Sequence, residues 1–191
     1  MANNKTLAKP VSYSRSVLTE LMIPANANFG GKIHGGTILS LMDKAAYACA
    51  ARHSGNYCVT ASIDLVEFLM PIEVGELVCI KASVNHVGKS SMVIGIRVES
   101  ENVKTGVKHH TNTSYFTMIA KDEGGKITEV PALLLENKED IRRFLEAIKR
   151  KKLKSDYKEE LDNTKTTLSL HMDLHYLEHE RCVLSENALN E

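Results

Sequence analysis

The sequence predicts an α+β domain in which one long helix packs against an antiparallel sheet, followed by a charged helical extension. Three observations carry this. From Thr37 to about His53, Ile38, Leu41, Met42, Ala45, Ala46, Ala48 and Cys49 recur at helical spacing, with no Gly or Pro inside. Four segments after it alternate apolar and polar residues with period two, separated by turns bearing Gly or Pro. Every glycine lies at or before Gly125 and every proline at or before Pro131. Beyond them charge is more than twice as dense: residues 1–136 carry 13 Lys/Arg and 12 Asp/Glu, residues 137–191 carry 11 and 12.

Taken in order, residues 1–14 read as an N-terminal tail and 15–23 as a first strand. Pro24 to Gly36 is a turn-rich loop that ends in two glycines, and Gly55 can close the helix that follows. In 57–69, Val59, Ala61, Ile63 and Leu65 alternate with Thr60, Ser62 and Asp64. The segments 76–87, 90–103 and 108–120 repeat the pattern, with turns at Pro71–Gly75, Gly88-Lys89 and Gly106. Asp122 to Lys126 is a reverse turn, which closes a domain expected over 15–136. The extension, 137–191, opens on Asn137-Lys-Glu-Asp140, a helix-start pattern. Ile141, Phe144, Leu145 and Ile148 then form an apolar stripe suited to dock on the domain. One helix cannot cover both the sheet and its edges, so a second copy of the chain is the expected partner.

Composition narrows the function classes. The 191 residues are 43% hydrophobic and 25% charged, with 24 Lys+Arg against 24 Asp+Glu. A zero formal net charge, 5% aromatics and no Trp argue against a dedicated nucleic-acid binder. No apolar run approaches the roughly 18 residues of a membrane span, and the first residues lack the hydrophobic stretch of a secretory signal. Cys49, Cys58, Cys79 and Cys182 show no CxxC spacing, so reduced thiols in a cytoplasmic protein are expected.

The most informative stretch runs from Pro24 to Thr37 into the helix that bears Asp43. Gly35-Gly36 permits close approach of a ligand to the helix start. There the first-turn N–H groups lack intrahelical partners and the dipole is positive. Such an end holds an anion or polarises a carbonyl oxygen, or the glycines simply make a tight turn. Asp43 interrupts an apolar helical stretch; a carboxylate there is either functional or paired with Lys44 or Tyr47. At ~1.5 Å per residue it lies about 10 Å along the axis from Gly36. One helix cannot easily aim both groups at one reacting atom, so a site shared between two copies is the sharper expectation.

The residues Asn26-Ala-Asn28, Gly31, Ile33-His-Gly-Gly-Thr37, Met42-Asp43, Val59-Thr-Ala-Ser-Ile-Asp64, Phe68, Pro71-Ile72, Val74-Gly75 and Val87-Gly-Lys-Ser-Ser91 resemble the cytosolic acyl-CoA thioester hydrolase group of hotdog-fold thioesterases. The resemblance runs in order over about residues 15–150. It implies a hotdog fold, five or six antiparallel strands around the helix, paired into homodimers and commonly into hexamers, that is, trimers of dimers. It implies hydrolysis of acyl-CoA to fatty acid and CoA, with no cofactor beyond the coenzyme A of the substrate. It puts the catalytic carboxylate at Asp43, as general base or as nucleophile. Asn28 becomes the loop amide supplied by the opposite subunit, and Gly36 the N–H donor to the thioester carbonyl.

His34, Gly35 and Thr60 are expected to bind the substrate; Thr60 and Asp64 share a strand face that either supports the site from behind or is simply solvated. The turn Gly88-Lys89-Ser90-Ser91 is expected to touch the CoA nucleotide, with Lys89 near a phosphate. It lacks the first glycine of a phosphate loop, since Ser83 stands there. Arg52-His53 reads as favourable charge at a helix end. The cluster Lys149-Arg150-Lys151-Lys152 with Lys154 reads as a solvated helix end or as help for the CoA phosphates. His171, His175 and His179 at i, i+4, i+8 read as an exposed helix face rather than a metal site. Two alternatives remain: a hotdog dehydratase or hydratase, for which His34 is the candidate base, and a regulatory module that binds acyl-CoA without turnover.

Overall fold

The computed structural model describes residues 8–168, 173–185 and 188. The chain divides into two compact units, Met1–Ile148 and Lys149–Glu191. In chain order the first unit contains β1 (Lys9–Pro10), α1 (Val11–Ser14), β2 (Ser16–Leu21), α2 (Gly35–Ser54), β3 (Tyr57–Ile63), β4 (Glu76–Val87), β5 (Ser91–Asn102), β6 (Lys108–Lys121), β7 (Leu133–Leu134) and the start of α3 (Lys138–Thr167). Strands β2 to β6 form one antiparallel sheet in the order β2-β4-β5-β6-β3.

Helix α2 buries Ile38, Leu41, Met42, Ala45, Ala46, Cys49 and Ala50. Opposite them the sheet buries Val78, Ile80, Ala82 and Val84 from β4, Met92, Ile94, Ile96 and Val98 from β5, and Phe116, Met118 and Ala120 from β6. The alternation read from these three strands is therefore the alternation of the core. The alanines and Cys49 let the helix axis come close to the sheet, and each large side chain removed from water adds roughly 1.5–3 kcal/mol. The helix ends as expected: Gly55 takes the left-handed conformation, φ 74°, and its N–H bonds to Ala51 O at 2.8 Å.

Four expectations need correction. The residues expected as a free tail hold β1, which pairs in parallel with β7, and α1, whose Val11 and Ser14 are buried. The strand expected over 57–69 stops at Ile63, and its phase is reversed. Cys58 faces the core, while Ile63 and Leu65 are exposed. β3 is an edge strand, so that apolar row lies on an open edge. Of the stripe Ile141, Phe144, Leu145 and Ile148 only Phe144 docks, its ring packed against His86; the other three are exposed, and Asp140 and Ala147 are the buried residues of α3. Polar groups anchor this end of α3 beside Phe144: Asp140 pairs with Arg15 at 3.1 Å and Arg143 donates to Ser83 Oγ at 3.3 Å. The first unit accordingly ends at Ile148, not near residue 136.

His53 is the fourth. It is wholly buried, with Nε2 against Pro131 O at 3.0 Å, so it does not supply charge to the end of α2. Lys9 does, donating from Nζ to His53 O at 2.7 Å. Burial pushes the His53 pKa below its ordinary value of 6.5; the Pro131 carbonyl opposes the shift and the Lys9 ammonium adds to it. The unfolded chain therefore takes up a proton that the folded chain resists. The stability tied to neutral His53 is complete above about pH 6.5 and is lost as pH falls below it. The melting temperature is expected to decline between about pH 7 and pH 5, and His53→Gln to flatten that decline. An unchanged slope in the variant, measured by calorimetry, would remove this account.

Candidate active site

The helix start is built by the loop before it. Asn26 accepts the Ile23 N–H at 3.0 Å through Oδ1, and its backbone carbonyl accepts the His34 N–H at 2.9 Å. His34 then caps α2: its Nδ1 accepts the Gly36 N–H at 2.9 Å and its carbonyl accepts the Thr37 N–H at 2.9 Å. A Cβ on Gly36 would lie 2.9 Å from the His34 ring, and one on Gly35 3.0 Å from the Phe68 ring. A side chain at either glycine would thus begin against a ring, and that ring would have to shift. The Gly36 amide, expected to face a ligand, is taken by His34 in this structure. A cavity of about 430 Å³ opens beside it, lined by Glu20, Asn26, His34, Gly36, Ser40 and Lys44.

Asp43 lies two turns along α2, half-buried beside the fully buried Met42. Its partner is neither Lys44 nor Tyr47. Thr60 Oγ1 donates to Asp43 Oδ1 at 2.5 Å and touches Met118 Sδ at 3.3 Å. The β3–β6 register shifts between Thr60 and Ser62, a bulge beside the residue that holds the carboxylate. Asp43 and Thr60 line a second cavity of about 490 Å³ with Tyr47, Tyr57 and Met118. Lys44 borders both cavities, which are otherwise lined by different residues. One chain therefore brings Asp43 to Thr60 but leaves Asp43 apart from Gly36.

Asn28 forms an Asx turn. Its Oδ1 accepts the Gly30 N–H at 2.9 Å and the Lys32 N–H at 3.2 Å, in an exposed loop. Gly88-Lys89-Ser90-Ser91 is the β4–β5 hairpin turn, closed by Gly88 N–H to Ser91 O at 2.7 Å. Lys89 is 82% exposed and pairs with Glu129 at 3.3 Å. Asp64 lies just beyond β3, where its backbone N–H bonds to Tyr115 O at 2.9 Å. Cys49 is buried behind the site and its thiol is pushed up to about 12, mainly by burial, so it is no nucleophile. Of the row of histidines, His175 lies in a 3₁₀ turn, Leu174–Leu177, and His171 lies outside the described residues. Among the described residues no group of His, Cys, Asp and Glu is placed to hold a metal.

Comparison with known proteins bears on what this arrangement is. Residues 30–107, which include the α2 start, Asp43 and Thr60, match the model of the thioesterase superfamily. An uncharacterized acyl-CoA thioester hydrolase of Bacillus subtilis is 36% identical over 137 residues, 72% of this chain and 80% of that protein. The chain belongs to the thioesterase superfamily. Solved members of the family share its fold. An apo hexameric acyl-CoA thioesterase superposes with a TM-score of 0.76 at 36% identity, covering 79% of this chain and 97% of that one. The Staphylococcus aureus acyl-CoA hydrolase, solved with butyryl coenzyme A, coenzyme A and coenzyme A disulfide, gives 0.75 at 28% identity, covering 83% and 97%. The α+β sheet around one helix is thus the hotdog arrangement of a thioesterase.

Two features of this family member were not legible beforehand. His34 is a helix cap, although caps are ordinarily Ser, Thr, Asp or Asn. Tyr47 and Tyr57, with ring centroids 6.0 Å apart, flank the Asp43 cavity. Tyr47 follows Asp43 by four residues, so helical spacing was a usable signal for it.

Proposed function

We propose that this chain hydrolyses acyl-CoA thioesters to free fatty acid and coenzyme A in the cytoplasm, using no cofactor. The observation that carries the reading is the Asp43 carboxylate with Oδ1 held by Thr60, in a cavity large enough for a thioester. Thr60 fixes the carboxylate and leaves Oδ2 to take a proton from water. The water oxygen attacks the thioester carbon, the C–S bond breaks, and the proton held by Asp43 passes to the coenzyme A thiolate. The carbonyl oxygen takes the place of the His34 imidazole on the Gly36 N–H, where the helix dipole favours developing negative charge. Asn28 presents its NH₂ to the water or the substrate. The hairpin at Gly88–Ser91 reaches toward the nucleotide, with Lys89 leaving Glu129 for a phosphate.

The two cavities of one chain hold different halves of this machinery. The reading therefore pairs Gly36 and Asn28 of one copy with Asp43 and Thr60 of another, in a homodimer. The open β3 edge with exposed Ile63 and Leu65 supports such pairing. Three dimers then give a hexamer, the state named for the solved relative. A dehydratase is disfavoured because its candidate base, His34, lines the cavity at the helix start and not the one that holds Asp43.

The test is release of free thiol from a panel of acyl-CoAs of increasing chain length. Turnover of at least one, with Thr60→Val slower by about tenfold, is expected. Binding of acyl-CoA by calorimetry with no thiol release from any member would replace the hydrolase with a binding module.

A further inference from the structure

The second unit carries a feature the hydrolase reading does not use. In the α3 segment 149–167 every residue is exposed, Leu153 at 67%, Tyr157 at 68% and Leu161 at 41%. At about 100° per residue these three fall within an arc of about 80°. Arg150 lies inside that arc, and Lys154, Lys165, Lys158 and Lys151 continue round one side of it. About half the circumference thus holds five cations and no acid. The four acids of the segment, Asp156, Glu159, Glu160 and Asp162, lie on the other half with Lys149 and Lys152. The charges are segregated by face although they are mixed along the sequence. Lys165 makes an i, i+3 pair with Asp162 at 3.6 Å across the boundary of the two faces.

We propose that this face of α3 docks on an anionic lipid surface. A narrow apolar stripe beside a cationic flank is the pattern of a helix that lies in the headgroup layer, apolar side down, with lysines among lipid phosphates and carboxylates. The stripe is too narrow to insert deeply, so attraction of the cations carries the binding and makes it reversible. A second copy is a poor occupant, because two such faces repel. A nucleic-acid groove would take the lysines but leaves Leu153, Tyr157 and Leu161 without an apolar phase. The proposal stands without the hydrolase reading.

The test is co-sedimentation of the full chain with vesicles of phosphatidylcholine, alone or with about 30% phosphatidylserine. A partition coefficient at least about 100-fold larger on the mixed vesicles is expected, falling to the neutral-vesicle value in about 0.5 M NaCl. The combined variant Lys151→Glu, Lys154→Glu, Lys158→Glu should lose that preference. Leu153→Ser with Leu161→Ser should weaken binding about tenfold, and Glu159→Gln, on the far face, should not weaken it. These positions are exposed, and coincident melting curves keep the variants comparable. Equal partition onto both vesicles, full binding by the combined lysine variant, or duplex DNA binding that survives the leucine changes while vesicles fail would each overturn the proposal.

Discussion

Asp43→Ala is expected to abolish thioester hydrolysis while leaving a folded, assembled protein. The carboxylate is half-buried and exposed to its cavity, so its removal leaves no unpaired charge in the core. The one bond lost is that from Thr60, whose hydroxyl keeps Met118 Sδ at 3.3 Å. Stability should therefore stay within about 1 kcal/mol of wild type. A positioned base contributes typically about 10²–10⁴-fold, so kcat should fall by that factor with KM little changed. Asp43→Asn separates charge from shape: it keeps a partner for Thr60 and cannot take a proton, and it should be as inactive as the alanine variant. Thiol release measured on both settles the matter. Near-full turnover by either would remove Asp43 from the chemistry.

Much of this was legible because apolar periodicity reports burial directly. α2 and strands β4 to β6 were readable almost to the residue, since each carries one buried face. β3 was misread in phase because it is an edge. There Val59 and Ile63, with Leu65 just beyond the strand, alternate as a core strand would, yet the residue of β3 that is buried is Cys58. Most of the α3 stripe was misread because polar contacts, Asp140 to Arg15 above all, hold this end of the helix beside Phe144, and these leave no periodic apolar signature. The part of His53 was misread because a cation that bonds the end of α2, Lys9, comes from 44 positions away in sequence. In the site, Asp43 was legible as a carboxylate inside an apolar stretch. Its link to Thr60, 17 positions on, depends on how β3 is seated. The occupant of the Gly36 amide depends on a rotamer of His34, and no residue pattern announces a rotamer.

Mixing two inactive proteins is expected to restore hydrolysis. Within one chain, Gly36 and Asn26 border one cavity while Asp43 and Thr60 border another. Along α2 the amide and the carboxylate stand about 10 Å apart, too far to act on one carbonyl carbon and the water attacking it. If the loop that carries Asn28 serves the Asp43 of its partner, an Asn28→Ala chain paired with an Asp43→Ala chain builds two unlike sites. One combines both defects, and the other is intact. Random pairing of equal amounts makes about half of the dimers mixed, each with one working site, so about a quarter of wild-type turnover should return. Each variant alone should sit at least about 100-fold below wild type. The subunits must exchange for this to be seen, so co-expression with two different tags, and purification through both in turn, isolates the mixed dimer. A tandem-purified mixed dimer as inactive as its parents would mean that each chain completes its own site. The separation of the two cavities would then have to close by movement of α2 against its own loop, not by a neighbour.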